Sequence, residues 1–359
     1  MERFAVISVV DKGERIIKSH SLLRRLPDKY ARLCLKYIPA RKTGLIVDNE
    51  ESLELGYIID VPGFLLDWNK LTRAKRLKHI LGIEKVLKEL GVKHLCFPTL
   101  YQYLTEEEVL YLEGRGILVL DCYIQRLAGL ILTLKQLGFI MRRDMPFIEV
   151  GIWGADTDTG RAFVEAMATR VNNMCIGGSN RRTLGILADQ LLKSTGLSCR
   201  VTTDVRTCLN SKHVAVLAQP VETRYNLVRP SFHINAYREH RGPGLMTSTD
   251  AGIYTIDMGW VESPRNLSID FRLEPWEGLG VLEGLLYNVS RVYREDIINK
   301  RISYDQLTRV AALYGLYPLR VQGLVQDGIG VHFDRVRMEY FRYRKRWLNN
   351  KSTSSNNTP

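Results

Sequence analysis

The chain has 359 residues, 45% of them hydrophobic and 25% charged. That is room for two or three domains with cores of their own, and too apolar a composition for a disordered chain. The net charge of +12 is gathered at the two ends. Residues 1–146 carry six more basic than acidic side chains and the last 26 carry five more, while the middle is nearly neutral. This pattern permits attraction to an acidic partner.

No uninterrupted apolar run approaches the roughly 18 residues of a membrane span, and the first residues lack the basic-then-apolar order of a secretory leader. The six cysteines have no CxxC spacing and stand apart from the histidines, which argues against a metal site. Cys96, Cys122 and Cys175 fall inside apolar runs, as reduced buried thiols do. A cytoplasmic address is the expectation.

In chain order, Ala5–Val10, Gly44–Val47 and Tyr57–Val61 read as strands. Trp68–Leu90 has helical spacing and stops at Gly91. A strand at His94–Phe97 follows, then a helix opened by Thr105 and three glutamates, a strand at Ile117–Leu120, and an apolar helix Tyr123–Leu137 closed by Gly138. The polar break at Arg142–Pro146 reads as a domain boundary. Strand-like runs then recur at Phe147–Trp153, Met174–Ile176, Cys199–Thr202, His213–Leu217, Phe232–Ile234 and Gly252–Ile256, with helical stretches after the first two. Alternation of this kind predicts an α/β protein with a doubly wound, Rossmann-type parallel sheet. Helices are expected at Leu279–Val292, at Ser303–Tyr314 with a Ser303/Gln306 capping box, and at Asp334–Leu348. The expected domains are an N-terminal α/β domain (1–145), a dinucleotide-binding domain (146–265), a helical C-terminal region (266–348) and a disordered tail (349–359).

The segment richest in chemistry runs from Val150 to Phe163. A strand enters Gly154-Ala155, a turn follows, and Asp158-Thr159-Gly160 opens a helix. Glycines there let backbone approach a pyrophosphate, and the helix N-terminus offers free N–H groups. The middle glycine of the usual pattern is Thr157. A threonine there offers a hydroxyl to phosphate or a Cβ that blocks approach. Asp156 and Asp158 add unhelpful negative charge. After the second strand, Ile176-Gly177-Gly178 leads into Ser179, Asn180, Arg181 and Arg182. Hydroxyl and arginine groups at this place suit the 2′-phosphate of NADP.

Several pieces, in order, resemble the aldehyde-forming long-chain fatty acyl-carrier-protein reductases, relatives of the quinate/shikimate dehydrogenases. They are Gly56–Ile59 leading through Pro62 to Leu71-Thr72 and the following helix; Gly154-Ala155 with Asp158-Thr159-Gly160; Asn180-Arg181; Gly259–Ser263; Ile302-Ser303; and Gly315–Leu319. The resemblance implies a Rossmann-type fold, an NADP cofactor, and a small-molecule or acyl-carrier substrate. It also implies a cysteine thioester ahead of the C-terminal helix, but Gly278–Glu283, the matching stretch, has none. Covalent acyl catalysis is therefore not expected, and the catalytic residues stay unassigned.

Among the seven histidines there is no HxH or HExxH spacing, and no metal is expected. His233, on a strand, and His240, in the loop after it, read as structural or surface residues before general acids. Asp257 and Glu262, past the last strand, carry at most a weak role, and the absence of GxSxG disfavours a serine hydrolase. The basic stretch Lys70–Lys78 reads as a solvated helix face, and nucleic acid is disfavoured as a partner. The C-terminal run of Arg335, Arg337, Arg342, Arg344, Lys345 and Arg346 interleaves with Tyr340, Phe341, Tyr343 and Trp347. It suits an acidic partner or membrane surface as well as a helix packing its rings on the protein. The leading expectation is an NADP(H)-binding oxidoreductase acting on a carbonyl. The rival is a catalytically degenerate binding or regulatory protein on the same fold.

Overall fold

A computed structural model describes residues 2–8, 17, 21–35, 37–65, 68–221, 231–238, 253–261, 267–269, 273–298, 302–316, 321–326 and 329–355. His20, His240, Glu262, Ser263 and residues 317–319, singled out in the sequence, lie outside them. The chain forms two compact units, each made of two stretches: Met1–Tyr123 with Ser263–Glu295, and Ile124–Glu262 with Asp296–Pro359.

The first unit begins with β1 (Phe4–Ser8), α1 (Asp28–Leu35), β2 (Arg41–Asp48) and β3 (Leu53–Asp60). It continues through α2 (Arg73–Leu90), β4 (His94–Cys96), α3 (Leu100–Tyr103), α4 (Glu106–Gly114) and β5 (Leu118–Leu120). Gly91 ends α2 in the left-handed region at φ 66°, its N–H bonded to Leu87 and Lys88 carbonyls, as a helix-stopping glycine does. Thr105 and Glu108 form a capping box on α4, with the Thr105 N–H donating to the Glu108 carboxylate at 2.9 Å. α5 (Tyr123–Met141) runs on through Gly138 and does not stop there as the sequence suggests. It is long and apolar enough to cross a bilayer by length and composition, and most of it is buried.

The second unit continues with β6 (Glu149–Trp153), α6 (Asp158–Ala168), β7 (Asn173–Gly177), α7 (Arg181–Thr195), β8 (Arg200–Thr202), α8 (Val205–Leu209), β9 (Val214–Leu217), β10 (Ser231–Asn235), β11 (Ile253–Ile256) and β12 (Met258–Val261). Then come β13 (Leu267–Ile269) and α9 (Pro275–Val289) of the first unit, and α10 (Arg291–Ile298), which starts in the first unit and ends in the second. The chain closes with α11 (Tyr304–Leu316), β14 (Val321–Gln326), β15 (Ile329–His332) and α12 (Phe333–Ser355). α12 thus extends well into the stretch read from sequence as a disordered tail.

In the first unit the strand order is β13-β2-β3-β1-β4-β5. β3, β1, β4 and β5 run parallel, and β2 and β13 are antiparallel additions at one edge. α9 lies close on this sheet because two of its residues have no side chain. A Cβ on Gly280 would meet Val6, and one on Gly284 would run into the Phe4 ring. These contacts explain why α9 belongs to the first unit and not to a separate helical C-terminal region. In the second unit the order is β11-β10-β9-β6-β7-β8, with every neighbouring pair parallel. Counted from β6 this is 6-5-4-1-2-3, with the strand order reversing at the β6/β9 junction. α5 also belongs to this unit. Arg126 donates to the Asn235 and Tyr237 carbonyls at 2.8 Å, and Gly129 lies against Gly259. β12, β14 and β15 form a small antiparallel sheet.

Candidate functional site

The C-terminal ends of β6 and β7 place two turns side by side. Gly154 has φ 83°, and a Cβ there would come within 2.9 Å of Gln219 N. A Cβ on Gly160 would collide with the Gly154 carbonyl. Glycine is therefore required at both positions, one by its backbone conformation and one by the approach of the helix. The N–H groups of Gly154 and Ala155 donate to the Gly177 carbonyl at 2.8 and 2.9 Å, clipping the first turn to the end of β7.

Thr157 caps α6. Its Oγ1 accepts the Gly160 N–H at 3.1 Å and donates its proton to the Gly154 carbonyl at 2.6 Å. The hydroxyl that the sequence offers to a phosphate is thus spent inside the turn. Beyond it, Asp158 is exposed and Thr159 is buried.

The second turn is organised by Asp156, which the sequence marks only as a repulsive charge. Its Oδ2 accepts from Ser179 Oγ at 2.9 Å and from Asn180 N at 2.8 Å. Gly178 makes room, since any Cβ there would strike the carboxylate. Asn180 is the N-cap of α7, its Oδ1 taking the Thr183 N–H at 3.1 Å. Two of the four expected 2′-phosphate groups are therefore committed to Asp156 or to the helix. Arg181 and Arg182, the first residues of α7, are exposed, and neither makes an ion pair among the described residues. Asp156 Oδ1 is buried without a hydrogen-bond partner. All ten residues expected at the cofactor site lie in these two turns.

Sequence reasoning gave little weight to a second group of residues, at the ends of β10 and β11. Asn235 Nδ2 donates to Asp257 Oδ1 at 2.8 Å, and both residues are buried. Burial raises the Tyr237 hydroxyl pKa, with Asp257 acting in the same direction and Arg126 opposing it. Only the polar residues on an otherwise apolar strand could have signalled this group.

Cys96 and Cys122, the buried cysteines of the first unit, offer no thiolate in place of the missing cysteine. Burial pushes the Cys96 and Cys122 thiols well above their usual range, and the nearby Glu283 carboxyl adds to this. Thiols held neutral in this way are inert. Among the described residues no cluster of three metal-ligating side chains occurs.

No family model matches the chain, and no curated protein matches it. Among solved structures it is similar to L-tryptophan dehydrogenase from Nostoc punctiforme, with 10% identity over 98% of this chain and 90% of that one, at a TM-score of 0.34. It is also similar to 5-ketofructose reductase of Gluconobacter sp. strain CHM43, with 8% identity, 87% and 99% coverage and a TM-score of 0.29. Ornithine carbamoyltransferase from Pyrococcus furiosus matches at 9% identity, 80% and 83% coverage and a TM-score of 0.30. The chain's own strand order and parallel register define its second unit as a doubly wound, Rossmann-type α/β fold.

Proposed function

We propose that the chain is a dinucleotide-binding, oxidoreductase-like protein that transfers hydride at a carbonyl, with its nicotinamide cofactor seated on the β6–α6 and β7–α7 turns. The carrying observation is a glycine turn leading out of the first strand of a sheet ordered 6-5-4-1-2-3, beside the switch point where such sheets bind ligands. The choice of nucleotide turns on Asp156. Dinucleotide folds that take NAD carry an acid at the end of the second strand, where it repels a 2′-phosphate; Asp156 comes from the first turn, but its bonds to Ser179 and Asn180 bring a carboxylate to that place. This favours NAD(H) over the NADP(H) that Arg181 and Arg182 alone would select.

Ligand binding to the native state raises its melting temperature by mass action. NADH is expected to raise it more than NADPH, and Asp156→Asn is expected to move the preference toward NADPH. Adding Arg181→Ala should then cancel that gain. If neither nucleotide at millimolar concentration shifts the transition, the reading fails. An unchanged preference in Asp156→Asn removes the NAD(H) assignment.

A second reading, a binding or regulatory module without turnover, draws on the closed Thr157 turn and on the lack of a cysteine in Gly278–Glu283. Oxidation of NADH by the protein with any carbonyl compound would dismiss it.

A further inference from the structure

α1 and the turn that leads into it carry two sets of apolar side chains, where a surface helix needs one. Ala31 and Leu35 form a small core with Leu23 of the turn, and Cys34 and Ile38 pack against it. On the outer side, Leu22, Leu26, Tyr30, Leu33 and Tyr37 are between 40% and 78% exposed. Their spacing is four, four, three and four residues. Tyr30 and Leu33 are therefore neighbours on the helix surface, and Tyr37 follows in the turn after it. A single exposed leucine is ordinary. Five large apolar side chains within sixteen residues of chain make the kind of exposed patch that marks an interaction site.

Charge narrows the partner. Between Leu22 and Tyr37 the sequence has five lysines and arginines against one acid, Asp28. That acid sits in the first turn of α1, where negative charge suits the helix dipole. Arg24, Arg25 and Lys29 are exposed, and none of them makes an ion pair among the described residues. A second copy of this chain would set the same cations against these, so self-association through the face is opposed. A groove on an acidic protein would take the apolar stripe and leave the cations on its rim. An anionic bilayer takes all three chemistries at once. It accepts leucines at the acyl boundary, tyrosine rings at headgroup level, and arginines and lysines among the phosphates.

We propose that α1 and its leading turn are a docking surface for an anionic lipid bilayer, on which the protein lies without spanning it. The attraction sums a shallow apolar insertion and a charge contribution, so binding needs both. The surface is independent of the dinucleotide reading and stands if that reading fails.

The test uses the full chain and cosedimentation with vesicles of phosphatidylcholine alone, or with about a quarter of phosphatidylserine. Binding is expected to the mixed vesicles only, and it should weaken as salt screens the charges. Leu22→Gln combined with Tyr30→Gln and Leu33→Gln should weaken it at least about tenfold. Arg25→Glu with Lys29→Glu should abolish the preference for phosphatidylserine. All of these positions are exposed, so both variants should keep the melting temperature within about a degree or two of wild type. Leu22→Gln alone, outside the helix, should still weaken binding about threefold, which keeps the test decisive if the triple variant unfolds. Reversing the charges of Arg342 and Lys345 on α12 should change nothing. Loss of binding in that variant, with the α1 variants binding like wild type, would move the surface to α12 and overturn the proposal. No binding to either vesicle, or equal and salt-independent binding to both, would overturn it as well. So would capture of poly-L-glutamate in place of vesicles, which would assign the face to an acidic protein. A concentration-dependent dimer in place of vesicle binding, abolished in the triple variant, would assign it to a second copy and equally sink the idea.

Discussion

Thr157 sets capping against cofactor approach at a single side chain. Its hydroxyl holds both Gly160 N and Gly154 O, and its Cβ stands where the usual pattern has none. Replacement of a capping threonine by glycine costs only a few tenths of a kcal/mol, whereas alanine costs about 1 kcal/mol. Thr157→Gly is therefore expected to lower the melting temperature slightly and to tighten NADH binding about tenfold. Thr157→Ala should lose stability with no gain in affinity. Equal affinities for wild type and the glycine variant would show that the Cβ is no obstacle.

At the same scale, Glu283 is a buried carboxyl whose pKa is pushed up to about 8 by burial, with Asp121 adding to the effect and the Tyr293 hydroxyl, 2.5 Å away, opposing it. An unfolded glutamate releases its proton near 4.5. The folded state therefore binds that proton more tightly, and stability drains away as pH rises between those values, by about 1.4 kcal/mol per pH unit. Below pH 4.5 the effect is absent, and above pH 8 it is complete. Glu283→Gln keeps an acceptor for Tyr293 and removes the titration. Its unfolding free energy should be flatter between pH 5 and 8 and exceed that of wild type at pH 8. Parallel pH curves for the two proteins would refute the buried-acid account.

Elements were legible where their signals are local. Thr105 with Glu108, Gly91, and the glycines of the β6–α6 turn mark their boundaries by chemistry that acts within a few residues. Gly138 misled because a glycine inside a helix costs only about 1 kcal/mol, which packing recovers. A Cβ there would crowd Arg143 O and Met145. β13 was invisible because three residues carry no periodicity, and its existence depends on pairing with β2, more than 200 positions earlier. Asp156 was misread for a related reason: its charge was judged alone, while its partners sit on the next turn of the sheet.

The basic stretch at the start of α2 also has partners that lie far along the chain. Arg73 and Arg76 pair with Glu107 and Glu108 of α4. For α12, periodicity left open whether its rings pack or stay free. Val336 and Tyr340 are buried, Tyr340 lies on Phe232, and Arg337 covers Phe139 at 4.2 Å. Tyr340→Ala is therefore expected to cost about 3–5 kcal/mol by analogy with other large aromatic truncations, read as a fall in melting temperature. Reversing the charges of exposed Arg342 and Lys345 should leave that temperature within a degree or two. Such a double variant is the cleaner probe for an acidic partner, because deleting residues 334–359 would remove core side chains as well.

For the whole molecule, the sequence order of domains and the spatial units part company. A reading by punctuation closes the first domain at residue 145, yet its sheet takes β13 and α9 from beyond residue 262. Removing α9 would uncover Phe4 and Val6, which are fully buried beneath Gly284 and Gly280. It would also strip Ser8 and the Glu2 carbonyl of their partners, Ser8 being bonded to Glu277 and the Glu2 carbonyl accepting from Asn288 Nδ2 at 2.6 Å. Chain continuity is not what holds such a unit; the packed face is. A fragment of residues 1–145 should accordingly show no cooperative thermal transition. Residues 1–123 joined by a flexible linker to 263–295 should regain one, and the added Gly284→Ala substitution should weaken it by forcing a methyl into the Phe4 ring. Cooperative unfolding of 1–145 alone would mean that the parallel strands and α2 suffice, and that α9 is an accessory. Failure of the joined fragment, with far-ultraviolet circular dichroism like that of an unfolded chain, would place its folding under the control of residues in the second unit.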